Sequence, residues 1–149
     1  MKRLFFLIIL FGTPVFSHAD EIQLPPPVRD GLKALIDKGA QQAVNIWVKG
    51  TPVEKDAKLT TSLLQNLEPM IAMMGNVNGY EIVRQVQISP SVVTSYIVIK
   101  LDLGPIYMVS DAYQSKNGWI IANIRFDGNL RPLFSEDFII DLYDQAQKK

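Results

Sequence analysis

Three features of this 149-residue chain predict an α+β fold, with N-terminal helices packed on a curved four-stranded antiparallel meander and a short C-terminal helix. Apolar residues recur at three- and four-residue steps through the first half. Beyond Gly75 the period falls to two. The two-residue periods are separated by turns too short for crossover connections, which leaves only antiparallel pairing.

The first residues read as a leader rather than as part of that fold. Met1-Lys2-Arg3 is positive, Leu4 to Phe11 is an unbroken apolar run, and Ser17 and Ala19 put small residues at −3 and −1 of a cut after Ala19. This order is that of a secretory signal peptide over residues 1–19. The run is far shorter than the roughly 20 residues that span a bilayer, so no stable membrane anchor is expected after cleavage. The mature protein is expected in the periplasm or the medium of a bacterium. His18, the sole histidine, leaves with the leader, and the chain holds no cysteine. Ser-His-Asp and Cys-His catalysis are thereby excluded, as are metal sites built on imidazole or thiolate. No cofactor and no metal are expected. Loss of Lys2 and Arg3 leaves a net charge of about −2, which gives no field for nucleic acid.

Residues 20–27, with Pro25-Pro26-Pro27, read as a stiff spacer before one domain over 28–149. Val28, Leu32, Leu35, Ile36, Ala43, Ile46 and Trp47 then form the buried stripe of a first helix, which Gly50-Thr51-Pro52 ends. Gly31 and Gly39 weaken this helix, or let a second element approach closely. From about Asp56 a second helix carries Leu59, Leu63, Leu64 and Leu67 on one side. Pro69 is expected to interrupt it before a last turn through Met70, Ile71, Met73 and Met74. Four strands follow, from Tyr80 to Ser89, Val92 to Leu103, Ile106 to Gln114 and Trp119 to Phe126. Ser135 caps a final helix with Glu136 and Asp137 in its first turn, and Phe134, Phe138, Ile139 and Leu142 give it a narrow apolar stripe that could close one end of the fold or pack on a partner.

Two-residue turns at Pro90-Ser91, Gly104-Pro105 and Asn117-Gly118 fix an expected register, and register fixes the faces. One face carries Tyr80, Ile82, Arg84, Val86, Val93, Ile97, Ile99, Met108, Ser110, Ile121, Asn123 and Arg125 among others, and is assigned to the helices. There Arg84 and Arg125 must reach solvent, pair with a carboxylate, or line a polar spot in a cavity, because an unpaired buried charge is costly. The other face holds Tyr96, Val98, Lys100, Asp102, Tyr107, Val109, Asp111, Tyr113, Ile120, Ala122, Ile124 and Phe126. Its aromatic and apolar content predicts a protein–protein surface and a homodimer.

The helices followed by a long meander, and the closing segment "KNGWIIANIRFDGN", resemble the nuclear transport factor 2-like superfamily over about residues 28–134. The resemblance implies a cone-shaped pocket between the first helix and the sheet, and dimers through the outer sheet face. In such a pocket a small apolar or amphipathic ligand would meet Tyr80, Arg84, Met108, Ser110, Asn123 and Arg125. Some members of that superfamily are ketosteroid-isomerase-like enzymes, which use an Asp base with Tyr and neutral Asp donors. The candidates for that chemistry, Asp102 or Asp111 with Tyr96, Tyr107 or Tyr113, fall on the outer face. No catalytic residue is assigned. Three functions follow in order: an exported non-catalytic ligand-binding domain, a dimeric interaction module with a filled core, and a cofactor-free isomerase or lyase.

Overall fold

The computed structural model describes residues 23–147; the expected leader and cut site, and Lys148 and Lys149, lie outside them. Helices α1 (Pro26–Lys38), α2 (Ala40–Trp47) and α3 (Ala57–Met74) precede strands β1 (Val77–Ser89), β2 (Val92–Leu101), β3 (Pro105–Ser115) and β4 (Gly118–Asp127). Helix α4 (Glu136–Gln147) follows. The sheet runs β1-β2-β3-β4, antiparallel throughout. The α+β fold expected from the two periods is therefore the fold observed.

Three local differences have plain causes. Pro26 and Pro27 are not spacer but the first turn of α1, where a missing N–H costs nothing and the fixed φ is already helical. The expected first helix is two helices, because Gly39 takes φ 85° between Lys38 and Ala40. Pro69 does not interrupt α3, which runs on to Met74. The hydrogen bond that Pro69 lacks would have gone to the carbonyl of exposed Gln65, where water can take its place. Asp56 caps α3 by accepting from the N–H groups of Lys58 and Leu59 at 3.0 and 3.1 Å.

The core lies between the helices and one face of the sheet. Val28, Leu32 and Leu35 of α1, Ala43, Val44 and Trp47 of α2, and Leu67 of α3 pack with Ile97, Ile99, Ile106, Met108 and Ala112. Gly31 is what lets Trp47 in. A β-carbon there would fall 1.9 Å from the indole Nε1, so the ring lies directly on the α1 backbone. The ring also meets Phe126, with centroids 5.3 Å apart. Among the described residues, no helix is long and apolar enough to cross a membrane.

Candidate functional site

The sheet has two working faces, and the register decides which side chains each one holds. Residues paired directly across strands point the same way. Ser95 pairs with Ser110, Ile97 with Met108 and Ile99 with Ile106. All six are fully buried on the helix side. The β2–β3 connection is wider than a two-residue turn, with Lys100 opposite Pro105 and Leu103 exposed in the loop. That slip is an even number of residues, so Met108, Ser110 and Ala112 keep the face expected of them.

Three bulges change the rest. In β1, irregularities between Gln87 and Ser89 and between Ile82 and Arg84 bracket a flipped segment, in which Arg84 faces Tyr96 and Val86 faces Thr94. In β4, Asp111 pairs with Asn123 but Ala112 pairs with Ile121, so Ala122 is the extra residue. Beyond it Ser110 meets Ile124, Met108 meets Phe126, and Val109 meets Arg125. Ile124 and Phe126, expected outside, therefore pack on the core. Arg84, Val86, Asn123 and Arg125, expected inside, lie on the outer face.

Of the six residues expected around a ligand, the structure brings Tyr80, Met108 and Ser110 to the helix side and places Arg84, Asn123 and Arg125 on the other. No single pocket holds them. On the helix side the space is taken by the packed core. Ser95 and Ser110 present hydroxyls there with no hydrogen-bond partner among the described residues, and the same holds for the Trp47 indole N–H. Among the described residues, several recesses open at the surface. One of about 220 Å³ lies between Trp47, Val53, Leu63, Ile121 and Ile124. Another, about 420 Å³, lies where Lys38 and Gly39 face Glu68 and Ile71.

The outer face is where the unexpected contacts are. The irregular segment 128–135 turns the chain back across it, and α4 then lies over β1 and β2. Phe134 is buried, meeting Tyr96 and Tyr107 edge-on at 5.1 and 6.2 Å between centroids. Phe138 stacks on Tyr96 at 4.3 Å, and the Arg84 guanidinium sits 5.4 Å from the Phe138 ring centre. Arg84 donates to the Asp141 carboxylate. Of the three fates open to Arg84, it therefore takes the paired one. Both side chains remain more than a third exposed, so the pair contributes about 0–1 kcal/mol. Arg125 takes another fate and is exposed.

The carboxylates considered for acid–base work are committed to structure. Asp111 accepts from Thr94 Oγ1 at 2.7 Å and Asn123 Nδ2 at 3.1 Å on the outer face. Asp102 stands in the β2–β3 loop and accepts from Asn78 Nδ2, the Asn76 backbone N–H and Asn76 Nδ2 at 2.8–2.9 Å. The Asn78 amide, then the Asn76 N–H, hold its carboxyl below the usual range. Among the described residues no group of three or more carboxylate or imidazole side chains is placed to hold a metal. What results is an α+β domain with helices on one side of a meander and its own C-terminal segment on the other. Comparison with protein-family models, with curated proteins and with solved structures gave no match.

Proposed function

We propose that this chain is an exported, non-catalytic interaction module that self-associates through the outer side of its sheet, including the exposed back of the α4 helix that lies over β1 and β2 there. The observation that carries the reading is the filled helix side. Ile97, Ile99, Ile106 and Met108 are fully buried against α1, α2 and α3, so the interior is packed protein. The available chemistry is on the surface. Tyr113 on the outer face and Ile140 and Tyr143 on the back of α4 are large, apolar and 41–66% exposed, the residue types enriched at interface cores. Light scattering of the protein at micromolar concentration is expected to give twice the chain mass; a monomer mass would overturn the reading.

A second reading keeps the nuclear transport factor 2-like expectation of a small apolar ligand. It is supported by the 220 Å³ recess beside Trp47, whose walls are mostly apolar. Retention of a small molecule that quenches or shifts Trp47 fluorescence would favour it.

A further inference from the structure

The two edges of the sheet are built differently. β1 is broken by irregularities at Val77/Gly79, Ile82/Arg84 and Gln87/Ser89, and such breaks blunt an edge against pairing. β4 has its bulge at Ala122 and then runs regularly from Asn123 to Asp127. The main chain of this stretch pairs with β3 on one side, and among the described residues no other hydrogen bond reaches it. A groove follows the free side. Its first part is the recess of about 220 Å³ between Trp47, Val53, Leu63 and Ile121–Ile124. Its second part, about 290 Å³, lies between Leu63, Asn66, Pro132, Leu133 and the stretch Ile124–Asp127. Leu63 and Ile124 belong to both parts. Helix α3 flanks the groove along its length, from Leu59 beside the first part to Met74, whose Cε would lie 3.9 Å from a β-carbon on Gly128.

We propose that this groove takes an extended peptide segment of a partner protein, apolar on one side and acidic on the other, as an added strand paired with Asn123–Asp127. The proposal does not depend on self-association through the outer side of the sheet. A free sheet edge offers N–H and C=O groups that only another strand satisfies in series, and flanking pockets then select its side chains. Alternate side chains of an added strand point to opposite faces. Those on the helix side enter the groove between Ile124, Leu63 and Leu59, which is 50% exposed. Those on the outer side come level with Asn123 and Arg125. Arg125 is exposed and has no carboxylate partner among the described residues, while the Asp127 carboxylate accepts from the Asn129 N–H at 2.7 Å. A glutamate on the added strand supplies the missing partner. A second copy of this chain fits less well. Its β4 would bring its own α3 and Pro132–Leu133 into a slot that these elements already wall on both sides, whereas a lone strand brings no walls.

Hydrogen exchange of the full chain, read by mass spectrometry, tests this with a capped heptapeptide of alternating valine and glutamate as the probe. Saturating probe is expected to slow exchange in β4 and to leave β1 unchanged. Two further probes, each N-methylated at one set of alternate amides, separate main-chain pairing from side-chain adhesion. At least one of them is expected to bind about tenfold more weakly, because it leaves edge groups unpaired. Arg125→Glu is expected to weaken the glutamate probe by up to about fivefold and to strengthen a lysine-for-glutamate probe by a similar factor. Protection of β1 instead of β4, protection of neither at millimolar probe, or equal binding of all the methylated and unmethylated probes would overturn the added strand. An R125E protein that binds the two charge types as the parent does would overturn the acidic character of the partner.

Discussion

Gly31→Ala is the substitution on which sequence and structure disagree most sharply. Judged by helix propensity alone, it should stabilise α1 by about 1 kcal/mol. The packing says otherwise. The added β-carbon would lie 1.9, 2.4 and 2.6 Å from Nε1, Cδ1 and Cε2 of Trp47, where ordinary contact begins at 3.4 Å. All three atoms belong to one rigid ring that is 1% exposed and in contact with Phe126, so a small rotation cannot relieve the clash. Overpacking of this kind costs about 3 kcal/mol, and the helix gain offsets about 1 of it. The net loss is about 2 kcal/mol, or about 8 °C in Tm for a domain of this size. Urea denaturation followed by tryptophan fluorescence measures it. In a double-mutant cycle, W47F is expected to recover at least about 1 kcal/mol of the G31A penalty, because its smaller ring can withdraw. A G31A protein as stable as the parent, or more so, would refute the placement of Trp47 against α1.

Three further outcomes follow from single contacts. Asp56→Ala removes the acceptor for two first-turn N–H groups of α3 and is expected to cost about 1 kcal/mol in chemical denaturation. Ser110→Ala removes a buried hydroxyl that has no partner among the described residues, and is expected to raise the denaturation midpoint slightly, by up to about 1 kcal/mol of stability. A marked loss would show that the hydroxyl is hydrogen-bonded. The Asp102 carboxyl is held below its unfolded value, so its contribution is present above the unfolded pKa and is lost as pH falls through the folded one. Asp102→Asn is therefore expected to flatten the acid limb of the stability profile below about pH 4, and an unchanged limb would count against the Asn76–Asn78 cradle.

Where the sequence reading succeeded and where it failed follows from what leaves a trace in residue order. Periods of 3.6 and 2 record burial on one side of an element, so the α+β class and the helix-facing row Ile97, Ile99, Met108 and Ile121 were legible. The second apolar pattern begins at about Asp56 and gives way at Gly75, and α3 has its caps at those two residues. Strict alternation puts Arg84, Asn123 and Arg125 on the helix side, whereas the structure has them on the outer face, for one reason. A bulge adds a residue that no side chain announces, and each bulge reverses the alternation beyond it. The aromatic signal survived this error. Tyr96 and Tyr107 were read as an outer aromatic surface, and both lie there, but the chain's own Phe134 and Phe138 cover them. The match of Phe134, Phe138 and Asp141 to Tyr96, Tyr107 and Arg84 joins positions up to 57 residues apart. Only the narrow stripe on the last helix hinted at it.

We propose that this fold acts through its surface, with the helix side of its sheet filled by its own side chains. Native mass spectrometry of the protein purified from its own compartment tests that most directly, since one spectrum reports subunit number and any retained small molecule. A dimer without adduct is expected; a monomer carrying a bound small molecule would overturn the proposal.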